Sequence, residues 1–186
     1  MEIYIVILFS YLSGSIPFGY ILTKSFGNID IRKIGSGNIG ATNVLRTGKK
    51  FLAASTLLLD ILKGYIPVAI TSYYFSEFIQ ISCLLTFLGH LFPVWLKFKG
   101  GKGVATYLGI LFALSIQLSF LFIFTWSVVS LIFKYSSLSS MFSSLTVFVV
   151  ASIKEKVLNF INTDINTSEN INLILFIFFI LIIYTH

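Results

Sequence analysis

Two short stretches of this 186-residue chain concentrate residue types that handle phosphate. The first reads Gly35-Ser36-Gly37-Asn38-Ile39-Gly40-Ala41-Thr42-Asn43-Val44-Leu45-Arg46. Its three glycines let the backbone turn tightly and approach a ligand closely, and N–H groups exposed in such a turn form an anion-binding concavity. Ser36, Asn38, Thr42 and Asn43 add short polar side chains, and Arg46 adds a planar fork suited to phosphate. The second stretch runs from Gly89 to Thr106 and includes His90-Leu91-Phe92-Pro93 and Lys97-Phe98-Lys99-Gly100-Gly101-Lys102-Gly103. Gly100, Gly101 and Gly103 around Lys102, just before an apolar segment, predict a phosphate cradle of backbone amides, helix N-terminus and ammonium. It is not a P-loop, which would need glycine at Leu96 and Ser or Thr at Gly103. The pattern therefore points to phosphate without pointing to a nucleotide. Both stretches also read as basic turns that anchor helices or attract anionic lipid headgroups, and composition alone leaves the two readings open.

Other reactive side chains are few. His90 lies seven residues before Lys97 and is expected inside a helix, buried and hydrogen-bonded to a neighbour. Asp60 and Lys63 are three apart on one helical face and can pair. Charges inside a span are functional candidates, but these two cancel, which suggests a structural clamp near the cytoplasmic end of their helix. Ser136, Ser137, Ser139 and Ser140 form a serine-rich turn, and His186 stands on the basic face at the end of the last apolar segment. One cysteine and two histidines exclude a disulfide framework and a histidine-rich metal centre. No metal and no cofactor are expected.

These residues must be positioned by membrane helices. The chain is 56% hydrophobic, 17% aromatic and only 11% charged, with a mean hydropathy of +0.94, against ~25% charged in soluble domains. That excludes an ordinary soluble enzyme and, with 20 Phe and 9 Tyr, a disordered chain. Residues 3–22 carry no charge and fit one span of ~20 residues. Glu2 supplies no basic segment ahead of them, against a cleaved signal peptide. Further spans are predicted at 51–75, 79–96, 141–153 and 171–185. Residues 103–133 as one helix would reach ~46 Å, beyond a hydrocarbon core of ~30 Å, so two short helices joined near 115–119 are expected. The prediction is a single all-α membrane domain over 1–186, with about seven spans, two of them short. Segments 24–50, 97–102 and 134–140 then share one face with net charges of +5, +3 and +1, while Glu2, Glu77 and the polar stretch 154–170 give −1 each on the other. Lys and Arg mark the cytoplasmic side, so the N-terminus is predicted outside and the three basic loops inside.

The chain resembles the bacterial integral-membrane glycerol-3-phosphate acyltransferases that use acyl phosphate as donor. The resemblance covers nearly its whole length. It rests on Gly14-Ser15-Ile16-Pro17-Phe18-Gly19, the block Gly35–Arg46, Asp60-Ile61-Leu62-Lys63-Gly64 and the block Gly89–Thr106, with Ser137-Leu138-Ser139-Ser140 a weaker match. The resemblance implies transfer of a fatty acyl group from acyl phosphate to the 1-hydroxyl of sn-glycerol 3-phosphate, yielding lysophosphatidic acid and phosphate at the first acylation of phospholipid synthesis. It implies a bacterial cytoplasmic membrane protein of seven spans with its site on the cytoplasmic face. Ser36 and Arg46 match the family's essential serine and arginine, and Gly100–Gly103 with Lys102 match its glycine-rich phosphate-binding motif. Ser137 or Ser140 matches a serine between the fifth and sixth helices. His186 matches the first residue of a third motif, which in the family continues through an asparagine, basic residues and a Gly-Thr-Glu sequence; here the sequence stops at the histidine.

Two phosphate-bearing substrates in one cleft need dense positive potential, which Arg46, Lys97, Lys99 and Lys102 can supply while raising the local concentration of anions. An acyl phosphate is already activated, so positioning and oxyanion stabilisation suffice without a covalent intermediate. The base is either His186 or a phosphate of the substrate. A His-x4-Asp pair is absent, since Trp95 stands five residues after His90. Membrane lipid is the expected surrounding and nucleic acid is no partner. The alternative from another class is a small transporter or channel for an anionic metabolite, with Asp60 and Lys63 as a gate. Against it, the glycine-rich blocks lie outside the spans, whereas a transport site favours broken helices at the midplane.

Overall fold

The computed structural model of the chain describes residues 1–160 and 171–186, and every regular element among them is helical. The chain forms two compact units, Met1–Leu114 and Ser115–His186. The first holds α1 (Glu2–Ser15), α2 (Phe18–Gly27), α3 (Ala41–Leu45), α4 (Lys50–Tyr74), α5 (Ile79–Leu91) and α6 (Val104–Leu114), with single 3-10 turns at Ile31–Lys33, Ser76–Phe78 and Val94–Leu96. The second holds α7 (Ile116–Phe133), α8 (Ser136–Phe160) and α9 (Ile171–Thr185). Four segments, Lys50–Tyr74, Ser76–Leu96, Ile116–Phe133 and Ser136–Ile153, are each long and apolar enough to cross a membrane. α1 and α2 pass that test together, and α6 and α9 are shorter apolar helices. These match the seven apolar segments predicted, in an all-helical membrane protein.

Three expectations need correction. The uninterrupted span over 3–22 is two helices bent by 41°, because Pro17 has no N–H to continue the ladder and forces Ile16 into an extended conformation (φ −63°, ψ 116°). The serine cluster is no turn: α8 begins at Ser136, and the connection from α7 is only Lys134 and Tyr135. Ser139, Ser140 and Ser143 donate their hydroxyls to carbonyls four residues back, at 2.9, 2.8 and 2.6 Å, so their polar groups are satisfied inside the helix. α8 therefore starts before and runs past the predicted 141–153. The remainder of the predicted polar loop, 161–170, lies outside the described residues. The break expected near 115–119 is present at Ser115, an extended residue whose Oγ accepts from the Leu118 N–H at 3.4 Å as an N-cap, but the helix after it, Ile116–Phe133, is long enough to cross a membrane rather than short.

Helices pack closely in the first unit where small residues meet. A side chain on Gly14 or Gly89 would strike the backbone of Thr86 or Tyr11 between α1 and α5. One on Gly64 or Gly109 would strike that of Thr106 or Ile61 between α4 and α6. Without a hydrophobic drive between helices in lipid, such backbone approach supplies the association. In the second unit α7 leaves Phe120, Phe124, Leu131 and Ile132 exposed, an apolar exterior that only lipid covers without cost. Ile31, Ile39, Val44, Leu52, Ala53 and Leu96 form a small buried core that pins the first glycine-rich loop to the start of α4.

Candidate active site

The first loop is held from within by Asn43. This residue is 3% exposed, and its amide donates to the carbonyls of Asn38 and Ile34 at 2.8 and 2.9 Å, with that of Ile31 at 3.2 Å. Its Oδ1 accepts the Ser36 N–H at 3.1 Å. Asn38 Oδ1 in turn accepts the Gly40 N–H at 2.9 Å. Gly35 and Gly37 take positive φ, +55° and +72°, which folds the loop back on α3. Arg46, at the end of α3, lies across Gly35, with Cδ and Nη1 3.0 and 3.1 Å from where a Cβ would stand. Arg46 thus packs against the turn that carries Ser36, both exposed with Thr42, while Asn43 is engaged in building the loop.

In the second loop the predicted cradle changes. The N–H groups of Gly100 and Gly101 donate to the carbonyls of Leu91 and His90, both at 3.1 Å. They satisfy the end of α5 rather than face an anion. Sequence alone cannot tell an amide aimed at a ligand from one aimed at a neighbouring carbonyl. The helix N-terminus remains: the first bond of α6 is Tyr107 N–H to Gly103 carbonyl at 2.7 Å, so the N–H groups ahead of it have no acceptor within the helix. They lie at the end that carries Lys102, where the dipole favours an anion.

The two loops bring cations together. Partial burial lowers the Lys102 pKa from that of an ordinary lysine, and the Arg46 charge lowers it further. A concavity of ≈ 300 Å³ is lined by Arg32, Trp95, Leu96, Lys97 and Lys99; Ser36, Arg46 and Lys102 are not among its lining residues. Arg32 gives much of its charge to Asp30 through two bonds of 2.9 and 2.7 Å, which hold that carboxyl down at about 2.

In the second unit, Ser140 is buried, donating to the Ser136 carbonyl at 2.8 Å and accepting from Trp126 Nε1 at 3.2 Å. Ser137 is half-buried in the first turn of α8. The His186 ring donates from Nδ1 to the Ile182 carbonyl at 2.8 Å, which makes Nε2 the acceptor nitrogen of the neutral imidazole.

Below the loops of the first unit lies a buried polar cluster. Lys63 Nζ is 2.8 Å from Asp60 Oδ1 and donates to the Ile16 carbonyl at 2.6 Å, at the break that Pro17 makes. The expected pair therefore exists, but in the middle of α4 rather than near its cytoplasmic end. His90 is buried as expected and bonds through Nδ1 to Thr106 Oγ1 at 3.1 Å. Trp95 Nε1 to Ser15 Oγ (2.9 Å) and Tyr11 hydroxyl to Phe92 carbonyl (2.8 Å) tie the second loop to α1.

Comparison with known proteins bears on the family and the fold. The family model for glycerol-3-phosphate acyltransferase matches residues 4–186. A glycerol-3-phosphate acyltransferase of Pelagibacter ubique is 55% identical over 187 residues, covering 100% of this chain and 91% of the relative. One of Mesorhizobium japonicum is 55% identical over 143 residues, 77% of this chain and 73% of that one. Among solved structures, the fold is similar to that of PlsY (YgiH), an integral membrane glycerol 3-phosphate acyltransferase. Its glycerol 3-phosphate form superposes with a TM-score of 0.89 at 34% identity, covering 100% of this chain and 88% of that one. Its lysophosphatidic acid form gives 0.87 at 33%, with the same coverage. With the matching family model, the identity to the relatives and the shared fold all extending over the membrane helices and both glycine-rich loops, the chain belongs to the glycerol-3-phosphate acyltransferase family.

Proposed function

We propose that this chain transfers a fatty acyl group from acyl phosphate to the 1-hydroxyl of sn-glycerol 3-phosphate, the first acylation of phospholipid synthesis. The observation that carries this reading is the approach of Arg46 and Lys102, cations from separate loops near enough that one lowers the pKa of the other. An anion between them relieves that repulsion. The relatives' solved glycerol 3-phosphate and lysophosphatidic acid forms correspond to the acceptor and product of this reaction. The excess of Lys and Arg in these loops supports a site on the cytoplasmic face of the bacterial inner membrane, with the N-terminus outside.

The acceptor hydroxyl oxygen attacks the acyl carbonyl carbon, the carbon–oxygen bond to phosphate breaks, and the hydroxyl proton ends on the released phosphate. Arg46 clamps a phosphate through two parallel bonds, Ser36 orients it, and Lys102 with the first N–H groups of α6 stabilises the oxyanion. Thr42, Asn38 and the Gly37–Gly40 turn shape the wall beside Ser36. The proton passes either directly to a phosphate oxygen or through Nε2 of His186. Replacing His186 by Asn separates the routes, because only the second loses turnover by about 10²-fold or more. The whole reading is tested by incubating the purified chain with palmitoyl phosphate and glycerol 3-phosphate. Lysophosphatidic acid and inorganic phosphate should appear in equal amounts; phosphate without lysophosphatidic acid would mean hydrolysis and no acyl transfer.

A further inference from the structure

We propose that His90 is the positioning residue for Lys102, gripping the chain on both sides of it, and that the buried Asp60–Lys63 pair fixes the His90 ring. This rests on the reading of Lys102 as a catalytic group. His90 makes three contacts with the segment that carries Lys102. Its carbonyl accepts the Gly101 N–H at 3.1 Å, its ring occupies the space a Gly101 side chain would need, with Nε2 foremost, and its Nδ1 meets Thr106 Oγ1 at 3.1 Å. Gly101 precedes Lys102 and Thr106 lies in the first turn after it, so one buried side chain spans both flanks.

The buried charged pair of α4 lies beside the ring. Asp60 Oδ1 stands 4.0 Å from His90 Nδ1 and is anchored by Lys63 at 2.8 Å, which reaches the Ile16 carbonyl at 2.6 Å. All three side chains are buried. A purely structural contact between α4, α5 and α6 could be apolar, as buried ion pairs are often replaceable by packed hydrophobic residues without loss of stability. The directional contacts that His90 makes with Gly101 and Thr106, which bracket Lys102, instead fix where its ammonium sits. Neither His90 nor the pair reaches the loop surface, so they act through Lys102 and not on substrate.

The test is a double-mutant cycle on the full chain, with palmitoyl phosphate and glycerol 3-phosphate as substrates. Thr106→Val removes the bond to His90 without changing volume, and Gly101→Ala pushes the ring aside from the other flank. Each should lower kcat by about threefold to tenfold with KM unchanged, and Thr106→Ser should restore it. In a Lys102→Ala background neither change should lower kcat further, since the interaction being positioned is already gone. In parallel, labelling by an amine-reactive ester, read by mass spectrometry, should speed up at Lys102 in both variants and stay constant at Lys49 and Lys134. Additive losses in the cycle, or unchanged labelling at Lys102, would overturn the positioning role. Near-normal turnover of Lys102→Ala itself would instead remove the premise that Lys102 is catalytic.

Discussion

Arg46 and Lys102 are both cations, but their surroundings assign them different parts. Arg46 lies exposed across Gly35 and offers a fork that lysine cannot reproduce. Arg46→Lys should therefore raise KM more than it lowers kcat. Lys102 sits half-buried at the start of α6, and on the proposed mechanism it meets the charge that develops in the transition state, so Lys102→Ala should lower kcat and kcat/KM together. A charge-assisted bond of ~1.5–3 kcal/mol gives a loss of roughly 10- to 150-fold in each case. Steady-state kinetics with both substrates varied distinguishes the two patterns, and equal effects of both variants on KM alone would contradict the division. The lowered pKa of Lys102 has a sign that can be read. The ammonium is present below its pKa, so activity should fall on the alkaline side at a lower pH than an ordinary lysine would give. Lys102→Arg keeps the charge to higher pH, and its kcat/KM profile should lose that alkaline limb; superimposable profiles would assign the limb to another group. Residue types and order let the sequence single out Ser36, Arg46 and Lys102 as candidates. The engagement of Asn43 and of the Gly100 and Gly101 amides was not, because it depends on which carbonyls the fold brings within reach.

At the scale of elements, the Asp60–Lys63 pair shows how a charged span is tolerated. Lys63→Met leaves a buried carboxylate without its cation and should cost about 3–5 kcal/mol, whereas Asp60→Leu with Lys63→Met should be far milder. Unfolding of the purified variants in detergent, followed by tryptophan fluorescence, reports this; equal destabilisation by the single and double changes would show that the Lys63 bond to the Ile16 carbonyl dominates. Helix positions were readable wherever charge bounded an apolar run, as at Lys50, Lys97–Lys102 and Lys134. The bend after α1 was not read, although Pro17 stands in the sequence, because an uncharged run of span length hides a break whose freed Ile16 carbonyl is met by Lys63 from another helix. The start of α8 was missed for a related reason: serine favours turns in water, but in an apolar setting its hydroxyl bonds back to the helix.

For the whole molecule, charge segregation across seven segments predicts that residues 24–50 face the cytoplasm and 154–170 face outward. Cysteines placed at Ser25 and at Asn162, after replacement of Cys83, should be labelled from opposite sides of the membrane. Labelling of both from one side would break the seven-span topology. If an acyl phosphate is consumed on two cationic loops, the purified chain should be selective for that donor. Turnover of glycerol 3-phosphate should be measured with palmitoyl phosphate and with palmitoyl-CoA at equal concentration, with Lys102→Ala as control. The account predicts lysophosphatidic acid from palmitoyl phosphate alone, reduced roughly 10- to 150-fold in the variant; comparable product from palmitoyl-CoA, or full activity without Lys102, would contradict it.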